Sequence, residues 1–228
     1  MGRPSIETEL VIGADLGLPV TAPVNSATIL QPLSPTQWNK VLSDLRSLFS
    51  GPGGGWQVID ASATADLERE GFHPGTEPCM WRPAGGAAPP PPPGLTIVEV
   101  GSDATVADMN AVIIEGYGLP STCEGHMFES AAFGDSRYRA WVGYVDGRPV
   151  STATAGVAAG LVGVYVVATV PEARGRGYGE ALTWSAVASA PELDATLQAS
   201  DMGKPIYERM GFETIATLTV WTTERQAR

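Results

Sequence analysis

The chain has 228 residues, with 25 acidic against 14 basic side chains and a net charge of −11. That balance lacks the basic stripe with which nucleic-acid binders hold phosphate. Two cysteines (Cys79, Cys123) and two histidines (His73, His126) are too few and too scattered for a disulfide framework or a metal cluster, so no metal is expected.

An acidic surface suits a cationic substrate such as an amine and serves solubility equally well. The first ten residues, MGRPSIETEL, carry acids and no apolar core, and Ile6 breaks the myristoylation pattern. No apolar run reaches membrane-spanning length. The expectation is a soluble, cytoplasmic protein with no membrane or nucleic-acid partner.

Residues 1–29 show little periodicity and read as irregular, with short strands near 9–12 and 27–30. A helix then opens at Ser34, an N-cap followed by Pro35 and by Gln37 at the capping-box position. Trp38, Val41, Leu42, Leu45 and Phe49 recur at helical spacing and form a core stripe. Glycines at 51 and 53–55 stop it. Residues 56–60 read as a strand, 63–70 as a short helix ended by Gly71, and 72–81 as an extended segment.

That pattern returns later. Glu68, Arg69, Gly71, Phe72 and Trp81 match Glu208, Arg209, Gly211, Phe212 and Trp221 at one constant offset of 140 residues. A repeat is first a statement about fold. It predicts that residues 1–82 are a smaller, degenerate half-copy of the domain that follows. Residues 83–94, PAGGAAPPPPPG, contain five consecutive prolines and read as a stiff linker.

From residue 95 the order is regular. Residues 95–100 form a strand. Residues 103–117 form an amphipathic helix with Val106, Met109, Ile113, Ile114 and Tyr117 on its core face. A less regular second helix is expected over 122–133. Strands at 138–145 and 148–155 are joined by Asp146-Gly147, a hairpin signal. Residues 161–169 form a strand, 179–190 a helix, 195–199 a strand, then a helix from about Gly203 and a strand over 214–221.

The stretch that organises this half is VYVVATVPEARGRGYGEAL, residues 164–182. β-Branched residues make a strand, Pro171 ends it, and glycines then open a helix. Such a turn gathers unpaired backbone N–H groups at the positive end of a helix, a geometry that binds phosphate. The spacing is not the dinucleotide fingerprint, and the Gly-Lys-Ser/Thr triplet of nucleotide triphosphate loops is absent, which disfavours a kinase or NTPase. What remains is R-x-x-G-x-G, running from Arg174 through Gly177 to Gly179. Preceded by V-A-T-V-P and followed by Y-E-R-M-G-F around Tyr207, it resembles the coenzyme A loop of the GNAT N-acetyltransferase superfamily, over roughly residues 95–221.

The resemblance implies an α/β (α+β) fold of GNAT type: a mixed, mostly antiparallel sheet flanked by helices. The catalytic domain would be residues 95–228. It implies acetyl-CoA as cosubstrate and a primary amine as acceptor, on a small molecule, an amino acid or a protein, with direct transfer through a ternary complex. The chain would be a monomer whose repeat mimics a dimer, or a homodimer. The coenzyme's arm would lie along Val167, Ala168 and Thr169, and its pyrophosphate on Arg174, Gly175, Arg176, Gly177, Tyr178 and Gly179. Tyr207 matches the tyrosine that protonates the departing thiolate. Ser200 stands where many members carry an asparagine on the coenzyme.

The strand before the loop offers no carboxylate as general base. Glu115, Glu124, His126 and Glu129, a water chain, or Tyr165 are the alternatives. A second function stays open, a coenzyme A-binding or sensory module without turnover.

Overall fold

The computed structural model describes residues 4–15, 25–51, 55–62, 64–123 and 127–223. They form two compact units, Met1–Pro78 with Ala216–Arg228, and Cys79–Ile215.

In the first unit, β1 (Ser5–Glu7), β2 (Val11–Ala14) and β3 (Ser26–Ile29) run antiparallel, so the irregular start carries one strand more than its composition signals. Helix α1 (Pro35–Leu48) crosses over to β4 (Gln57–Asp60), which lies parallel to β3. The expected capping box is present: Ser34 Oγ accepts the Gln37 N–H and Gln37 Oε1 accepts the Ser34 N–H. Trp38, Val41, Leu42 and Leu45 are buried against Val11, Ile29 and Val58. The helix expected over 63–70 is only a 3-10 turn, Glu68–Glu70. The buried Asp60 carboxylate accepts the N–H groups of Ser62, Thr64 and Ala65, and this local capture competes with a helix.

In the second unit, β6 (Thr96–Glu99), β7 (Tyr138–Val145), β8 (Arg148–Ala158) and β9 (Leu161–Thr169) run antiparallel in that spatial order. Helix α3 (Tyr178–Val187) crosses over to β10 (Asp194–Gln198), parallel to β9, and α4 (Lys204–Arg209) follows. Asp146 and Gly147 both have positive φ, as the hairpin requires.

Helix α2 (Asp103–Tyr117) covers one face of this sheet and α3 the other. On β7, the Tyr144 hydroxyl donates to Asp108 of α2, while a side chain at Gly143 would meet Leu182 of α3. The second helix expected over 122–133 is absent among the described residues, which hold two 3-10 turns, Ser121–Cys123 and Ser130–Phe133. Asn110 takes both backbone groups of Phe128, accepting its N–H and donating to its carbonyl, which removes them from any helix.

The two ten-residue strands β5 (His73–Arg82) and β11 (Glu213–Thr222) begin and end 140 residues apart. Before each, a left-handed glycine closes a turn: Gly71 (φ +89°) donates to Glu68 O, and Gly211 (φ +85°) to Glu208 O. Their pairing is crossed. The end of β11 lies antiparallel on β4 of the first unit, whereas the end of β5 lies antiparallel on β10 of the second.

Candidate active site

Three features of β9 make the site. First, the strand bulges. Thr152 of β8 faces Ala168 and Thr154 faces Tyr165, so Val166 and Val167 together oppose one residue. Val166 has φ +52°. A β-branched residue in that region is under strain, and such strain concentrates at functional sites. Second, the parallel ladder with β10 runs only from Leu161–Asp194 to Gly163–Thr196. Beyond it, the backbone edge from Val164 to Thr169 on that side takes no strand partner among the described residues. Third, the carbonyl of Val167 on this edge receives the Tyr117 hydroxyl at 3.1 Å.

The loop after β9 delivers an open helix end. Gly177 (φ +81°) is the N-cap of α3, and no side chain caps the helix. Its first N–H groups therefore face outward from a backbone that only glycine adopts without strain. A Cβ on Gly179 would meet Thr169 Oγ1 at 3.2 Å, so that glycine lets the helix start approach the end of β9. Arg176 is exposed, with no ion pair among the described residues. Tyr178 is buried in the core. Uncapped amides beside an exposed guanidinium fit a pyrophosphate.

Arg174 is used differently. Its Nε donates to Thr169 O at 3.1 Å and a terminal nitrogen donates to Gly116 O at 2.7 Å, clamping the loop to the last turn of α2. A Cβ on Gly116 would lie 3.0 Å from that of Ala168, so helix and strand touch there.

Tyr207 of α4 is buried, with its ring 6.0 Å from Phe212 in an edge-on arrangement. Burial pushes its pKa up, so the phenol is a neutral donor at neutral pH. It lies close enough to Tyr117 to act on it: burial of the hydroxyl, then Tyr207, pushes the Tyr117 pKa up to about 12. Tyr117 does not join the core face as its spacing suggests, for the residue is 49 % exposed while its hydroxyl tip is tucked against β9. Its signal in the sequence was its place: an aromatic ring with a polar tip, directly before the Gly118 that ends the helix.

Ser200 sits after β10, where its hydroxyl accepts the Gly203 N–H at the start of α4. The other candidates disperse. Glu115 and Glu172 share Arg148 on the surface, Glu115 at 3.6 Å. Glu129 lines a cavity of about 640 Å³ between α2 and the turn at Ser130, with Asp103, Asn110 and Phe128. Glu124 and His126 lie outside the described residues. Tyr165 stands on β9 immediately before the bulge. No group of three or more His, Cys, Asp or Glu side chains that could hold a metal occurs among the described residues, and no described helix is long and apolar enough to cross a membrane.

Comparison with known proteins agrees with this geometry. Residues 136–214, which include β7 to α4, match the family profile of the acetyltransferase (GNAT) domain. A GCN5-related N-acetyltransferase from Kribbella flavida superposes with a TM-score of 0.70 at 20 % identity, over 99 % of this chain and 91 % of that one. A GCN5-related N-acetyltransferase from Sphaerobacter thermophilus gives 0.60 at 15 % identity, over 94 % and 80 %. A tandem GNAT protein from the clavulanic acid biosynthesis pathway gives 0.56 at 14 % identity, over 95 % and 79 %. No curated protein matches the sequence. Residues 136–214 thus match a GNAT acetyltransferase domain, and the fold is shared along nearly the whole chain with GCN5-related N-acetyltransferases.

Proposed function

We propose that this chain is an acetyl-CoA-dependent N-acetyltransferase that moves an acetyl group directly to a primary amine in a ternary complex. The observation that carries the reading is the strained bulge at Val166. It frees the β9 backbone from β10 just ahead of an uncapped helix start, with two neutral phenols nearby. The edge at Val167 and Thr169, which pairs with no strand among the described residues, suits an extended amide-bearing arm, which adds to a sheet as a strand would. The N–H groups from Gly175 to Gly179, with Arg176, suit the pyrophosphate.

Acetyl-CoA supplies the acyl group as a thioester: the amine nitrogen forms the new C–N bond, the C–S bond breaks, and the amine's proton balances the one delivered to the thiolate. Tyr207 gives its phenolic proton to that sulfur. A backbone N–H at the bulge stabilises the developing oxyanion. Holding both partners in place does most of the rest. Ser200 would lend its hydroxyl proton to the coenzyme, since its oxygen already accepts from Gly203. Arg174 acts on the loop rather than on the phosphate.

Residues 1–82 are, in the same reading, a partial copy without the loop, residues 83–94 the connection, and 95–228 the catalytic part. The tandem character of the clavulanic acid pathway protein supports that division by analogy.

Thermal unfolding with and without acetyl-CoA tests the reading first, because a ligand of the folded state raises the midpoint. Thiol release with a panel of amines follows. Tyr207→Phe is expected to lower kcat by about 100-fold while coenzyme affinity stays within a factor of about two. A midpoint shift without thiol release from any amine would select the coenzyme-binding module instead, and no shift at millimolar coenzyme would end both readings.

A further inference from the structure

Cross-strand register lines up one row of residues on the α2 face of the second unit. Tyr138 faces Gly156, Gly156 faces Gly163, Gly163 pairs with Thr196, and Thr196 faces Trp81. Two adjacent glycines leave the middle of this row without side chains. The Tyr165 ring lies across them. Its hydroxyl is 2.2 Å from where a Cβ on Gly163 would be, and its ring edge 3.5 Å from where one on Gly156 would be, a point the Tyr138 ring approaches equally closely. Tyr165 thus rests on a glycine floor with one ring face outward, flanked by Tyr138 and, two strands on, by Trp81. Both tyrosines are open to solvent, Tyr138 by 55 % and Tyr165 by 45 %. Burial, then Tyr138 and Cys79, raises the Tyr165 pKa, so its phenol is uncharged at neutral pH.

Its position gives it a task. Tyr165 is the residue before the bulge, so at about 3.3 Å per residue its backbone is about 7 Å along the strand from Val167, while its ring reaches back over Gly163, about 13 Å from it. The opposite face of β9 is closed up to the bulge, since Val162 and Val164 are buried in the core. Approach to Val167 is from the α2 side, the side from which Tyr117 reaches its carbonyl.

We propose that Tyr138 and Tyr165, with Trp81 at the far edge, form the acceptor platform, and that the acceptor is an amine carried on a flat aromatic body. A planar ring stacks on the outward face of Tyr165, and the ammonium gains from aromatic faces and from a chain of net charge −11. An aromatic wall with few polar groups is the usual lining of a small-molecule site. Among the described residues, the one carboxylate beside the row, Asp194, is engaged by the Trp81 indole N–H at 3.1 Å and the Ala84 N–H at 2.8 Å.

The inference rests on the acetyltransferase reading, and the test separates the two. Thiol release from acetyl-CoA by the full chain is compared for 2-phenylethylamine, n-hexylamine and putrescine. The expected result is a kcat/KM for the arylalkylamine about tenfold above that for the alkylamine, the size of one cation–π or ring-stacking contact. Tyr165→Leu and Tyr138→Leu keep an apolar side chain but remove the ring, and each should erase that preference through KM while coenzyme affinity holds. Equal rates for 2-phenylethylamine and n-hexylamine, or a preference that survives both substitutions, would overturn the platform. Should the chain release no thiol with any amine, the acetyltransferase reading falls. The platform is then decided by calorimetry with 2-phenylethylamine: binding lost in Tyr165→Leu sustains it, and no binding removes it.

Discussion

The two units each contain a strand leading into a helix that crosses to a parallel strand, and they finish that helix start in opposite ways. Between β3 and α1 the chain reads Leu30 to Ser34 without a glycine, and Ser34 and Gln37 satisfy the first amides reciprocally. Between β9 and α3 it reads through Gly175 and Gly177, and no side chain caps the helix. One start is closed by its own residues; the other is left open. A helix needs its first amides satisfied by something, and a chain that declines to do so internally has reserved them for water or an anion. The strands differ in the same sense. Among the described residues of β3 none has positive φ, whereas β9 carries Val166 at +52°. Among the described residues, only those of the second unit hold both the open amides and the strained edge beside them.

The largest expected effect comes from closing the open start. Gly177→Glu puts a carboxylate among the α3 amides, and coenzyme affinity should fall at least about 100-fold, about 2.7 kcal/mol. Gly177→Ala separates charge from backbone strain, since it carries the same left-handed penalty of about 1 kcal/mol without the carboxylate. It should retain most of the affinity; an equal loss in both variants would show that the turn's shape, and not its anion site, was tested. Next is Tyr117→Phe, which removes the hydroxyl from Val167 O. Turnover should drop up to about tenfold, the scale of one hydrogen bond, with the unfolding midpoint nearly unchanged. In alkaline titration, followed by phenolate absorbance, the variant should lose one of the phenols that ionise near pH 12. Two are pushed that high, Tyr117 and Tyr144. Because the folded pKa of Tyr117 is raised above the unfolded value, its contribution to stability is intact below pH 10 and is lost as pH climbs towards 12.

How far the sequence foretold this follows the range over which each signal acts. The capping box at Ser34, the Asp146-Gly147 hairpin and the glycine loop are local, decided by residues within a few positions of each other, and each lies where its chemistry puts it. The 140-residue offset marks where β5 and β11 start and end, because Gly71 and Gly211 close the same turn. It carries no information on which strand each then pairs with, a long-range choice made by packing. The helices expected over 63–70 and 122–133 fail for one reason. Asp60 and Asn110, each outside the expected helix, take backbone groups that the helix would have used. Helical spacing assigns Tyr117 to the core, but apolar periodicity does not weigh a polar tip that can reach a strand carbonyl. The bulge at Val166 has no local mark, since valine is the residue least expected at positive φ.

Smaller effects sharpen the contrast from the other side. Ser34→Ala opens the first helix start by removing its cap, at a cost of about 1 kcal/mol, and should create no coenzyme binding. Open amides alone are insufficient without the left-handed turn and the neighbouring unpaired edge. The last variant is Val166→Gly. If the bulge is held by the surrounding fold against the preference of valine, glycine relieves up to about 1–2 kcal/mol of left-handed strain. Against this stand the lost side-chain contacts of a half-buried valine and the greater freedom of glycine in the unfolded chain, each about 1 kcal/mol. The net change in denaturant midpoint should therefore be close to zero, where an unstrained buried valine would cost clearly more. Turnover is the sharper readout. Glycine lets the bulge sample straight-strand geometry, so kcat should fall while coenzyme affinity, which the proposed site assigns to Gly175 to Gly179, is kept. A loss of affinity equal to the loss of turnover would mean that the strained edge and the helix start bind as one rigid piece, and the site would then have to be described as a single element rather than two.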